Sequence, residues 1–144
     1  MSVALLDVNV LVALSWPGHS SHGSALSWFA RHAREGWASC PMTQAGVVRI
    51  LSSPSFSPDA YTPTAAVRML RANLEHPEHH FWPDDLGLLD ALAQVHTPLQ
   101  GHKQITDAYL LGLALHREGR FVTADRSIKA LLPKTVPANS LVVI

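Results

Sequence analysis

Three aspartates stand at positions where their type and surroundings could do chemistry. Asp7 directly follows the apolar run Val3 to Leu6, and Asp125 directly follows Phe121 to Ala124. Asp107 opens a stretch from Ile105 to about Arg117 that is apolar almost all round. The first two runs read as buried strands and the third as a buried helix. Asp7 and Asp125 then lie at strand carboxyl ends, where open α/β sheets bind ligands. The start of the Asp107 helix can point into the same crevice. Converging carboxylates repel one another and are costly to desolvate. A hard divalent cation relieves that cost. Mg²⁺ or Mn²⁺ on such ligands can polarise a phosphodiester, acidify a bound water and stabilise a leaving oxygen. Taken singly, each aspartate also has a structural reading, as a turn residue or a helix N-terminal charge.

The elements that must position these residues follow from periodicity and breakers. After Asp7 and Asn9, a helix is expected from about Val10, ended by Pro17-Gly18. Ser20 or Ser21 caps a second helix to about Glu35, with Leu26, Phe29, Ala30 and Ala33 facing inward. Trp37 to Cys40 reads as a strand, and Pro41 to about Ser52 as a helix with Val47, Val48, Ile50 and Leu51 in the core. Ser53 to Pro63 reads as a loop. Thr64 to about Glu75 reads as a helix, with Ala65, Ala66, Met69 and Leu70 facing in. His80 to Trp82 forms a strand, and Asp84 or Asp85 caps a helix through Val95. A loop from Thr97 to Lys103 leads to the buried helix, which Gly119 ends. Arg120 to Ala124 and Leu141 to Ile144 are the last strands. This alternation implies a parallel sheet covered on both faces.

The bulk numbers set limits. The chain has 144 residues, 47% of them apolar, which suits one compact domain spanning 1–144. Charges balance, 11 basic against 11 acidic, which argues against a polycation that coats nucleic acid. Cys40 is the only cysteine, so no disulfide forms within the chain and a reducing compartment is expected. The apolar start lacks a basic leader and is interrupted by Asp7 and Asn9, and no run reaches membrane-spanning length. A cytoplasmic, membrane-free protein is the expectation.

Four ordered segments carry a family resemblance. They are Leu6-Asp7-Val8-Asn9-Val10-Leu11, Thr43-Gln44-Ala45-Gly46-Val47-Val48-Arg49, Thr106-Asp107-Ala108-Tyr109-Leu110 and Val122-Thr123-Ala124-Asp125-Arg126. The set resembles the motifs of PIN-domain nucleases, and within them the VapC-type toxins of bacterial toxin–antitoxin pairs. The resemblance implies a three-layer α/β/α sandwich with a central, mostly parallel sheet of about five strands. It implies a Mg²⁺- or Mn²⁺-dependent endoribonuclease, a homodimer, and a cognate antitoxin that blocks the site. By the same resemblance Asp7 and Asp107 are the main metal ligands and Asp125 a further acidic member. Asn9 orients Asp7 or lines the site, and Thr106 and Thr123 hydrogen-bond carboxylates or phosphate. Gln44 faces Asp7. Arg49, Lys103 and Arg126 are placed to meet phosphate without reading bases.

Gln44 departs from the family pattern, in which many members carry glutamate at this place. An amide supplies no charge, so the site is expected to hold three strong carboxylates rather than four, with Asp84, Asp85 and Asp90 as candidate substitutes for the fourth. His76-Pro77-Glu78-His79-His80 looks like a metal cluster, but Pro77 prevents helical ligand spacing. His19 and His22 are exposed-loop histidines that could meet RNA, and Trp28 and Trp37 are core candidates. Cys40 has no paired base to make it a nucleophile.

Two other functions fit parts of the pattern. A haloacid-dehalogenase-type phosphatase would use an Asp after the first strand as nucleophile. Its general acid, two residues on, is here Asn9, which cannot donate and recover a proton. A weakly active PIN scaffold that binds RNA or a partner would fit the loss of charge at Gln44.

Overall fold

The computed structural model describes residues 2–144. Its centre is a five-stranded sheet, entirely parallel, in the order β3-β2-β1-β4-β5. The strands are β1 (Ala4–Leu6), β2 (Trp37–Ser39), β3 (His79–Phe81), β4 (Arg120–Thr123) and β5 (Leu141–Val143). Six α-helices connect and cover them: α1 (Val8–Ser15), α2 (His22–His32), α3 (Pro41–Leu51), α4 (Pro63–Leu74), α5 (Leu88–Val95) and α6 (Ile105–His116).

Two apolar clusters sandwich the sheet. One joins Leu5, Ala38 and Phe121 to α5 and α6, and the other joins Ala4, Leu6 and Val122 to α1 through α4. Side chains alternate between faces along a strand, so the apolar run Ala4-Leu5-Leu6 serves both clusters and is wholly buried. That is the three-layer arrangement expected from the sequence. The strand order reverses around β1, which pairs with β2 on one side and β4 on the other. The carboxyl ends of β1 and β4 therefore border the crevice where such sheets bind ligands.

Several local expectations shift. The first helix begins at Val8 rather than Val10, because Asp7 is its N-cap and accepts the Val8 N–H at 2.7 Å. On α2 the buried face is turned by one residue. Ala25 and Trp28 are buried, while Leu26 is 50% exposed. Asp84 and Asp85 cap no helix. Gly87 is the N-cap of α5, Asp84 accepts from the Tyr109 hydroxyl, and Asp85 pairs with Arg117 at 2.8 Å. The end of α6 is not a glycine cap either. Glu118 takes the left-handed conformation (φ 55°), and the N–H groups of Glu118 and Gly119 close on the carbonyls of Leu115 and Ala114. That is a Schellman arrangement. Gly119 is required for closeness instead, since a Cβ there would lie 2.6 Å from the Val3 carbonyl oxygen and from Trp82.

No described helix is long and apolar enough to cross a membrane.

Candidate active site

Asp7 is placed by both of its neighbours in space. Its backbone N–H donates to the Val122 carbonyl at 2.9 Å, which extends the β1–β4 pairing to the sheet edge. Its Oδ1 accepts from the Val8 N–H, and its Oδ2 accepts from the Thr123 hydroxyl at 2.7 Å. The carboxylate is only 6% exposed. Burial raises its pKa, the bonds from Thr123 and Val8 hold it down, and Asp125 adds to the rise.

Asn9 and Thr123 tie the two strand ends together. Asn9 Nδ2 donates to Thr123 Oγ1 at 3.2 Å, and Asn9 Oδ1 accepts from the Ala124 N–H at 3.0 Å. Thr123 Oγ1 also accepts from the Asp125 N–H at 3.1 Å. Asp125 in turn caps a 3₁₀ turn over Arg126–Leu131, an element absent from the sequence reading, by accepting from the Ser127 N–H and hydroxyl. The orienting role expected of Asn9 is thus exercised through Thr123 and the backbone. Its amide is held on both sides, and a phosphatase general acid has no counterpart here.

Asp107 sits in the first turn of α6, half-buried. Its pKa is pushed up to about 6 by burial, then by the charges of Asp7 and Asp125. The three expected carboxylates therefore act on one another. Of the suggested substitutes for a fourth acidic group, Asp84 accepts from the Tyr109 hydroxyl and Asp85 pairs with Arg117.

Gln44 lies in the first turn of α3, but its amide is turned to β2. Its Nε2 donates to Ser39 Oγ at 2.9 Å, and Ser39 Oγ lies 2.8 Å from His79 Nε2. Ser39 is wholly buried. Burial, followed by His80 and His76, lowers the His79 pKa against a backbone hydrogen bond at Leu74 that raises it. A hydroxyl that accepts from Gln44 and donates to a neutral His79 satisfies the whole chain. Ser39 had no role in the sequence reading. The available signal was a polar residue closing an otherwise apolar strand at the same carboxyl edge.

The remaining positions divide. Thr106, Arg49, Lys103 and Arg126 are exposed. His22 is half-buried and bonded to the Ala13 carbonyl at 2.7 Å, and His19 Nδ1 accepts from the Ser21 N–H. His76 Nδ1 accepts from Trp37 Nε1 and the Glu78 N–H, so the histidine-rich segment is structural. Trp28 and Trp37 are core residues, and Cys40 is buried and free.

Asp7, Asp107 and Asp125 offer only oxygen donors, and their mutual repulsion is what a hard cation neutralises. Among the described residues no three His, Cys, Asp or Glu side chains are already grouped as a metal cage. The donor set suits Mg²⁺, which uses one or two carboxylates and keeps several waters.

Asp7, Asp107 and Asp125, close enough to shift one another's titration, thus lie along the switch-point edge of a parallel α/β/α sheet. The sequence model of the PIN domain matches residues 4–131, and the chain belongs to that family. It is 42% identical to Ribonuclease VapC39 of Mycobacterium tuberculosis over 125 residues, 87% of this chain and 90% of that protein. It is also 42% identical to Ribonuclease VapC38 of the same organism over 136 residues, covering 92% and 94%. Among solved structures, VapBC2 from Rickettsia felis, bound to a DNA fragment from its promoter, superposes with a TM-score of 0.64. That alignment has 13% identity and covers 99% of this chain and 97% of the other. Mycobacterium tuberculosis VapC20, described as a sarcin–ricin loop cleaving toxin, gives 0.62 at 14% identity, covering 93% and 99%. At such identities these two structures speak for the fold alone.

Proposed function

We propose that this chain is an endoribonuclease toxin of the VapC type that hydrolyses RNA phosphodiester bonds with Mg²⁺ or Mn²⁺. The observation that carries the reading is the lock among Asp7, Asn9, Thr123 and Asp125, with Asp107 electrostatically coupled to both aspartates. The curated relatives bear the ribonuclease name at high coverage. The whole chain is read as one catalytic domain, working in the cytoplasm as a homodimer and restrained by a cognate antitoxin.

Asp7, Asp107 and Asp125 would hold the ion. When bound, it supplies Lewis-acid polarisation of the phosphodiester and charge stabilisation at the leaving oxygen. The protein's own part is preorganisation. Thr123 and the Val8 N–H fix the Asp7 carboxylate in one orientation, and each of its oxygens keeps a lone pair for a cation. Asn9 holds the Ala124 backbone and so sets where Asp125 begins. Asp107, whose pKa is pushed up to about 6 in the metal-free chain, is still mostly ionised at neutral pH and so available to a cation. Arg49 and Arg126 are exposed cations suited to phosphates flanking the cut. Single-stranded or loop RNA is the substrate class, because the cutter must reach an exposed backbone.

Purified protein should cleave single-stranded RNA with Mn²⁺ or Mg²⁺, stop on addition of EDTA, and lose most activity as Asp7→Asn. Parental cleavage by the Asp7→Asn protein would remove this assignment of the site.

A further inference from the structure

A separate pocket of about 340 Å³ opens beside the carboxylates, lined by Met42, Leu86, Leu88, Ile105 and Tyr109 together with Thr106 and Asp84. Thr106 joins it to the metal-binding edge, since the next residue is Asp107. Met42 lies in the first turn of α3, as Ile105 and Thr106 do in α6. The pocket thus sits at the carboxyl edge of the sheet, on the α5–α6 side.

Its chemistry is unlike that of the catalytic edge. Leu88 is 46% exposed and Ile105 43% exposed, so two large aliphatic side chains stand in water at its mouth. The Met42 thioether adds a polarisable wall that suits an aromatic ring. One charge enters this apolar setting. The Tyr109 hydroxyl donates to Asp84 Oδ1 at 2.6 Å and lies 2.9 Å from the Leu86 carbonyl oxygen. That bond ties Oδ1 of the exposed Asp84 carboxylate and leaves Oδ2, with the second lone pair of Oδ1, open to accept a pair of donors. An apolar slot with a fixed acceptor takes a flat heteroaromatic ring that carries N–H donors.

We propose that this pocket is a nucleobase subsite, which receives a guanine next to the scissile phosphate. Resting on the ribonuclease reading, it adds a base preference to that activity. Guanine presents its N1–H and N2 amino donors side by side on one edge, which is the pattern a carboxylate accepts. Adenine and cytosine present an amino donor beside an acceptor, and uracil places its single N–H between two carbonyls. The cavity is large enough for a bicyclic base. Leu88 and Ile105 would cover its faces, and Asp84 would read its edge. Discrimination by a good hydrogen-bonded base edge is worth roughly tenfold or more.

The test uses the whole chain and two readouts. Methyl resonances of Leu88 and Ile105 are followed on titration with GMP, AMP, CMP and UMP. GMP should shift them at concentrations roughly tenfold below the others. In parallel, a random-sequence RNA pool is cleaved with Mn²⁺, and guanine should be enriched at one fixed position beside the cut. Asp84→Asn keeps an oxygen for Tyr109 and should flatten both preferences. Leu88→Glu, at an exposed position, should do the same while leaving the melting temperature near the parental value. Nucleotide shifts that fail to favour GMP, or a cleavage profile unchanged in a folded Leu88→Glu protein, would overturn the proposal. If Leu88→Glu instead blocks only association with a protein partner, the pocket is a docking surface and the proposal also falls. GMP preference without any RNA cleavage would sink the ribonuclease reading and leave the base subsite standing.

Discussion

The Thr123 hydroxyl donates to Asp7 Oδ2 at 2.7 Å, joining the ends of β1 and β4 across 116 positions of chain. The same oxygen accepts from Asn9 Nδ2 and from the Asp125 N–H. One small side chain thereby sets the positions of both acidic residues at the switch point.

Thr123→Val keeps the shape and removes all three bonds. The loss of a hydrogen bond to a buried carboxylate should cost about 1.5–3 kcal/mol, read from urea unfolding. The Asp7 pKa should rise further, because the donor that lowers it is gone. Thr123→Ser retains the hydroxyl and should recover most of the stability and the metal-dependent cleavage. A Thr123→Val protein as stable as the parent would mean that the lock is not formed.

Asp107 makes the metal-free fold pH-dependent. Its folded pKa of about 6 lies above the ordinary 3.8, so the folded protein binds that proton more tightly than the unfolded chain does. The resulting destabilisation is fully present above pH 6 and is relieved as pH falls toward 4. His79 acts oppositely, because its lowered pKa means that stability is lost as pH falls through the ordinary 6.5. Comparing parent with Asp107→Asn isolates the carboxylate. Without metal, the variant should melt higher than the parent at pH 7.5, and the gap should shrink by pH 5. Cleavage should be largely abolished. A gap that does not vary with pH would mean that neither burial nor the neighbouring carboxylates raise the Asp107 pKa.

Gln44→Glu should be felt at His79. A carboxylate at position 44 cannot donate to Ser39 Oγ, so the serine hydroxyl must turn and donate to it. Ser39 Oγ then accepts from His79 Nε2, which requires a proton on that nitrogen. The His79 pKa should rise relative to the parent, as followed by imidazole proton shifts. Metal-free stability should fall and Mn²⁺ affinity should rise if the new charge also reaches the acidic cluster. An unchanged His79 titration would break the relay from Gln44 through Ser39.

The covering layer has its own check. Gly112 in α6 faces the Ala91 carbonyl of α5 so closely that an added Cβ would overlap it. Gly112→Ala gains helix propensity, yet it should destabilise the fold by about 1–3 kcal/mol through overpacking. Thermal melts decide between the two signs.

Local pattern was enough to determine much of this protein. The apolar runs at Ala4-Leu5-Leu6, Phe121 and Leu141 are too short for helices and read as strands, the first two buried on both faces. Alternation with amphipathic helices then implies the parallel sheet, and an aspartate just after two of those strands lies at the ligand-binding edge. The ordered motifs carried the family. What local pattern could not decide is which strands are neighbours and where polar side chains turn. The pairing of β1 with β4, which brings Thr123 onto Asp7, is a contact between distant segments and leaves no mark in either one. Gln44 turns to Ser39 because β2 lies beside it and offers a buried hydroxyl that needs a donor. Asp84 leaves its expected cap for Tyr109 because α6 brings a buried phenol to it, and a buried hydroxyl must find an acceptor. Period and composition report what each segment must bury. The partner of each polar group is set only when tertiary packing removes water and leaves one neighbour within reach.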